Sequence, residues 1–192
     1  MALKVLDNLL GYASSFTADE IDGWMGTLAP ELKCTEAYRA LEEKIAVYKE
    51  TAKGEKFIDF RVVDLNGKEG MLSDYVQPGK YNLLEVWASW CGHCRVEVPH
   101  LKILRKKYGD RFNIIAVSTD RTDKEWRKAM NADKPNYLQL RAVKDDKGKD
   151  VGDYYRLRGI PYSLVIDGEG RIVSENGRGA KLDVLLEEQY GK

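Results

Sequence analysis

Cysteine is scarce in this chain, with three residues among 192. So small and odd a number does not describe a scaffold stapled by disulfides. Histidine is scarcer, limited to His93 and His100. A tetrahedral site needs a second ligand pair at suitable spacing; Cys91, His93 and Cys94 find none, so no metal is expected. Neither sign of charge is in excess, because 31 basic side chains balance 31 acidic ones. A nucleic-acid binder ordinarily carries a basic surplus, so no nucleic-acid partner is expected. No stretch approaches the ~18–20 apolar residues that cross a bilayer, so no membrane span is expected. Repeats and low-complexity tracts are also missing. Leu3, Val5 and Leu6 are followed at once by Asp7 and Asn8, which breaks the apolar run of a signal peptide too early. Taken literally, the chain stays in the cytoplasm; a targeting segment removed ahead of Met1 is the other reading.

What is present is an ordinary globular composition, 43% hydrophobic and 32% charged, in a length suited to one sizeable core with an appended segment. One run stands out: Glu85-Val86-Trp87-Ala88-Ser89-Trp90-Cys91-Gly92-His93-Cys94. Two cysteines separated by two residues follow an apolar stretch and precede an amphipathic one, where a strand hands over to a helix. A thiol at a helix N-terminus meets free backbone N–H groups and the positive end of the helix dipole. Both stabilise its thiolate, the species that attacks disulfides. The expected chemistry is electron exchange with disulfides through Cys91 and Cys94. A purely structural disulfide is the plain alternative, but so small a loop gains little chain-entropy stabilisation. Cys34 is left over and reads as a small half-buried hydrophobe; a resolving or cross-linking thiol is the sharper reading.

Residues 1–53 read as helical. Leu3, Leu6 and Leu10 repeat at helical spacing. Thr17 and Glu20 form a capping box, Ile21, Trp24, Met25 and Leu28 make one face, and Pro30 is expected to stop that helix. Tyr38, Leu41, Ile45 and Tyr48 make another face. The segment carries no chemical motif and reads as scaffold or linker. Residues 51–56 look like a joint, and 54–192 read as a separate α/β domain.

In that domain, residues 57–63 alternate as a strand and Asn66-Gly67 signals a hairpin turn. Residues 73–76 suggest a single helical turn. Residues 81–87 form a buried central strand in which only Asn82 and Glu85 are polar. A helix is expected from the cysteines to Tyr108, kinked by Pro99. Further strands fall at 112–117, 137–140, 162–167 and 171–174, and helices at 122–132, 151–157 and 182–190. Strands alternating with helices, then a hairpin and a closing helix, predict a mixed central sheet covered on both faces.

Trp-Cys-Gly-His-Cys after an apolar strand, Pro99 in the next helix, and Gly159-Ile160-Pro161 before a late strand together resemble the thioredoxin-like fold family. The opening hairpin, the continuation Cys94-Arg95-Val96-Glu97, the extra helix and strand at 122–140 and the turn Ile166-Asp167-Gly168-Glu169-Gly170 resemble its TlpA/ResA-like envelope subgroup. The resemblance covers residues 55–192. More loosely, the helical segment resembles linkers that join an N-terminal β-rich domain to a thioredoxin-like one, which implies a domain ahead of Met1.

The resemblance implies that Cys91 attacks and Cys94 resolves, with the Cys91–Cys94 disulfide as the redox group and no other cofactor. Glu85, six residues before Cys91, is expected beneath the cysteines, where burial raises a carboxyl's pKa and lets it shuttle a proton with Cys94. A strand carboxylate reaching solvent or an ion pair is the alternative. The strand 112–117 offers no lysine to pair with it, so its ionisation is tuned differently. For Glu97 the resemblance implies modulation of the cysteines; a solvated helix carboxylate is the alternative. His93 stands where ordinary thioredoxins have proline and gives the dipeptide of protein disulfide isomerase. A cationic imidazole beside Cys91 favours the reduced state and makes the disulfide more oxidising. The two reference potentials, about −270 and about −180 mV, differ by roughly 4 kcal/mol, enough to reverse electron flow. Trp90 is expected to wall the substrate surface and Trp87 to lie in the core. Pro161 is predicted cis, turning the Ile160 peptide towards the cysteines to pair with an extended substrate; Tyr162 is expected beside the site.

The expected function is a thiol–disulfide oxidoreductase acting on protein disulfides or dithiols, as an envelope or periplasmic reductase with an upstream thiol electron donor. Oxidation or isomerisation by the same residues is the nearest alternative. A thiol peroxidase ordinarily needs threonine three residues before its cysteine, where this chain has Ala88. A non-catalytic binding module working through the helical segment is a third class.

Overall fold

The computed structural model describes residues 16–191 and Lys4. The expected helix bearing Leu3, Leu6 and Leu10 lies outside the described residues. Helix α1, Ala18–Gly26, opens with the expected capping box: Thr17 Oγ1 accepts the Glu20 N–H, and the Glu20 carboxylate accepts the Thr17 N–H at 2.7 Å. It ends at Gly26, before Pro30, which instead opens a short 3-10 turn, Pro30–Leu32, where its missing N–H costs nothing. Helix α2, Glu36–Lys49, is capped by Thr35. Ile21, Met25 and Leu28 pack on Tyr38, Leu41 and Ile45, so the two helices form a hairpin with its own apolar seam. Cys34 is exposed, not half-buried: it lies on the connection just ahead of the Thr35 cap, and the seam is filled by other residues.

Seven strands form one sheet: β1 Arg61–Val63, β2 Glu69–Met71, β3 Tyr81–Trp87, β4 Phe112–Ser118, β5 Leu138–Ala142, β6 Tyr162–Ile166 and β7 Ile172–Glu175, in the order β2-β1-β5-β4-β3-β6-β7. Strand β4 runs parallel to β3 and β5, and β6 runs antiparallel to β3. The sheet is mixed, as expected. The first strand is shorter than its alternation suggests, because side chains take over the backbone groups ahead of it. Tyr155 Oη accepts the Ile58 N–H and donates to the Ile58 carbonyl, while Asp59 accepts the Phe60 and Ser73 amides.

Among the described residues, the remaining α-helices are α3 Gly92–Arg95, α4 Val98–Tyr108, α5 Asp123–Asp133, α6 Val151–Tyr154 and α7 Gly179–Tyr190. Strand β3 is buried on both faces, which explains its nearly continuous apolar run. Leu83 packs with Leu101 and Leu104 of α4 and Leu182 and Leu186 of α7. Leu84 and Val86 point the other way, into a cluster with Phe60, Val151, Tyr155 and Leu164. The single helix expected after the cysteines is divided into α3 and α4. Pro99 has no N–H for the Arg95 carbonyl, so the regular ladder lapses around Val96 and Glu97 and restarts with proline in the first turn of α4.

Candidate active site

Strand β3 ends at Trp87 and the chain crosses a short loop to Cys91, the N-cap of α3. Asp120, itself buried, holds this loop: its carboxylate accepts the Ser89 N–H at 2.9 Å, the Ser89 hydroxyl at 2.7 Å and the Ser118 hydroxyl at 2.7 Å. Cys91 and Cys94 are joined as a disulfide, and Cys91 Sγ accepts the Cys94 N–H at 3.2 Å. Because α3 is only four residues long, the amides of this first turn, rather than a long macrodipole, are what the sulfur meets. Arg95 fixes α3 from outside with a two-pronged contact to Asp133 at the end of α5, both bonds at 2.7 Å.

Glu85 lies beneath the cysteines. It is 3% exposed, and period-two alternation puts it on the same face of β3 as Leu83 and Trp87. Glu85 and Cys94 line one internal cavity of about 10 Å³, with Ala116, Met130, Tyr137 and Gln139 around it. Neither carboxylate oxygen of Glu85 has a hydrogen-bond partner among the described residues. Burial pushes its pKa up to about 8, against a smaller downward pull from Arg178. A carboxyl that titrates near 8 therefore lines the same cavity as Cys94, placed to exchange a proton with that sulfur.

Glu97 is not a solvated helix carboxylate. Its Oε1 accepts the Gly179 N–H at 3.1 Å and meets His100 Nδ1 at 2.8 Å. Burial alone would raise its pKa, but His100, the Gly179 amide and Arg178 outweigh that and hold it below the ordinary value. His100 Nε2 meets Asp183 at 2.8 Å, so this histidine clasps α4 to α7. Burial opposes its charge; the two carboxylates prevail and raise its pKa.

His93 is exposed, and its backbone carbonyl accepts a hydrogen bond from Arg178 Nη2 at 3.2 Å. Trp90 is 73% exposed beside Cys91, whereas Trp87 is buried against the cysteines and Trp126. The Ile160-Pro161 peptide is cis, and the Ile160 side chain packs on the cluster that holds both cysteines. Tyr162 is not brought to the cysteines. It pairs with Val86 across the sheet, so its ring shares that residue's face and packs on Tyr155. It lines instead, with Pro161 and Tyr48, a groove of about 680 Å³ between α2 and the loop before β6. Two functional residues escaped the sequence reading: Asp120, which holds the loop, and Arg178, which reaches Glu85, Glu97 and the His93 carbonyl from the start of α7.

Fold and site together define a thioredoxin-like thiol–disulfide oxidoreductase. A family model described as thioredoxin-like matches residues 79–172. The thiol-disulfide oxidoreductase ResA of Bacillus cereus is 32% identical over 161 residues, which cover 82% of this chain and 84% of that protein. The thiol:disulfide interchange protein HelX of Rhodobacter capsulatus is 32% identical over 120 residues, 62% of this chain and 65% of its own. Among solved structures, the thioredoxin domain of a thiol-disulfide oxidoreductase from Bacteroides vulgatus matches with a TM-score of 0.64 at 34% identity, over 72% of this chain and 97% of that one. The chain belongs to the ResA-like family of thioredoxin-like thiol–disulfide oxidoreductases.

Proposed function

We propose that this protein is a disulfide reductase of the bacterial cell envelope, acting on disulfides of other proteins. The observation that carries the reading is the placement of Glu85 and Cys94 on one buried cavity behind the cysteine pair. In the reduced protein the Cys91 thiolate attacks a substrate disulfide. One substrate S–S bond breaks, a mixed disulfide forms, and the first substrate thiolate leaves. Ionised Glu85 takes the proton of Cys94, whose thiolate then attacks Cys91 Sγ and expels the second substrate thiolate. The substrate gains two electrons, Cys91 and Cys94 become the disulfide, and an upstream thiol donor reduces it again. Trp90, Ile160 and Pro161 offer the surface on which the substrate chain lies. No cofactor beyond the cysteine pair enters these steps.

The family resemblance supports the envelope location. Among the described residues no helix is long and apolar enough to cross a membrane. Oxidation or isomerisation is the second reading, favoured by His93 inside the dipeptide. The potential of the Cys91–Cys94 couple decides between them: a value near about −180 mV, the isomerase reference, defeats the simple reductase. Cys94→Ala protein is expected to accumulate mixed disulfides with envelope proteins, identifiable by mass spectrometry. Cys91→Ser is expected to trap none and to lose exchange; retained exchange would remove Cys91 from the mechanism.

A further inference from the structure

Strand β3 meets no cation from its neighbours at Glu85, whose register partners are Ala116 on β4 and Ser163 on β6. The cation comes from elsewhere. Arg178, the N-cap residue of α7, sends its guanidinium back under the cysteine turn. Its Nε lies 3.9 Å from Glu85 Oε1, and its Nη2 lies 3.7 Å from Glu97 Oε2 and 3.2 Å from the His93 carbonyl oxygen. The first two distances are ion pairs rather than hydrogen bonds. Arg178 Nε, like both Glu85 oxygens, is buried without a hydrogen-bond partner, so this charge pair faces little competition from water.

We propose that Arg178 is a positioning residue for the redox reaction. It holds Glu85 in an ionisable state for the deprotonation of Cys94 and ties that carboxylate to Glu97 and to the backbone of the Cys-Gly-His-Cys turn. This deepens the function proposed above and rests on it. The other groups around Glu85 do not supply the charge. Cys94 of α3 is the proton donor, and Glu97, just ahead of α4, is a like charge. Of the other groups lining the cavity, Tyr137 is kept protonated by burial, and Asp133 of α5 is engaged by Arg95. An opposite charge at about 4 Å lowers a carboxyl's pKa by roughly one to three units. Arg178 therefore offsets part of the rise that burial imposes on Glu85, and removing it leaves Glu85 protonated over a wider pH range.

The test is the reaction of reduced full-length protein with dithiobisnitrobenzoate, followed by stopped flow across pH, with Cys34→Ser in every sample because that exposed thiol would release a nitrothiobenzoate of its own. Attack by Cys91 releases one nitrothiobenzoate, and resolution by Cys94 releases the second. In the wild type the rate of the second release rises with pH through the titration of Glu85. In Arg178→Gln that midpoint is expected to move up by about one pH unit, slowing resolution about tenfold at pH 7. Arg178→Lys is expected to restore most of the rate. In a Glu85→Gln background, Arg178→Gln is expected to add no further slowing. Coincident profiles for wild type and Arg178→Gln overturn the proposal, as does equal slowing with and without Glu85. If wild-type protein released no second thiol, or released it equally well as Cys91→Ser, the underlying exchange mechanism would fall and this proposal with it.

Discussion

At the residue scale, burial leaves Glu85 as a stored proton. Its pKa is about 8 in the folded protein against an ordinary value of 4.5. Between those two values the folded state binds a proton that the unfolded chain has released. Stability contributed by this group is therefore full at low pH and is lost as pH rises towards 8. The loss approaches about 5 kcal/mol at the top of the window, which follows from about 1.4 kcal/mol per pKa unit. Glu85→Gln keeps the shape and removes the titration. The urea midpoint of the disulfide form is expected to fall between pH 5 and pH 8.5 in the wild type, and to fall much less in the variant. Parallel curves would mean that Glu85 is not a buried, titrating acid. A single carboxylate in an apolar strand, six residues ahead of a CxxC pair, was enough to single out this residue from sequence. Arg178 and Asp120 were not legible in that way. Each acts from a distant loop and only sheet pairing brings it to the site, and neither carries a local pattern that separates it from an ordinary surface charge.

At the element scale, sequence patterns located most strands and helices and failed at their ends. The buried runs at β3 and β4 and the capping box of α1 are strong local signals. The shortening of β1 depends on Tyr155 and Asp59 competing for its backbone, a tertiary contact no window of sequence contains. The division between α3 and α4 shows Pro99 acting as a first-turn residue rather than as a kink in one continuous helix. The loop joining β6 and β7 shows a similar dependence on a distant partner. Gly168 accepts the Gly79 N–H at 3.0 Å, and a Cβ on Gly168 would stand 2.5 Å from Gly79 Cα. The three obstructing atoms, Gly79 Cα, N and C, all belong to backbone, so no side chain can rotate away. Gly168→Ala is expected to destabilise the protein by about 1–3 kcal/mol, the usual range for overpacking, without changing the exchange rate of the protein that remains folded. Thermal melting and a nitrothiobenzoate-release assay on one sample check both halves. An unchanged melting temperature would show that the two loops separate freely.

For the whole molecule, the question is whether the helical hairpin is part of the catalytic fold. Its apolar seam runs from Phe16 to Ala52, while the three clusters around the sheet are built from Phe57 onward. Among the described residues, contacts between the two parts include the Arg156–Glu50 ion pair and the hydrogen bond from Arg158 to Tyr48. Exposed contacts of this kind are worth about 0–1 kcal/mol each. Gly54 and Glu55 differ in kind, because they exchange backbone hydrogen bonds with Ile172 at the edge of β7 and extend the sheet. A chain starting at Lys53 keeps that pairing and loses the hairpin together with the residues ahead of it. It is expected to fold, to melt within about 8 °C of the full chain for a loss of one to two kcal/mol, and to react with dithiobisnitrobenzoate at the rate of full-length Cys34→Ser protein. The hairpin does, however, form one wall of the groove that reaches Pro161. A folded protein substrate held along that groove would lose affinity in the shortened chain, while the small disulfide would not. Equal loss with both substrates would show that α1 and α2 support the cysteine turn itself. Unchanged kinetics with both would make the hairpin a spacer, the role its lack of any chemical motif suggests.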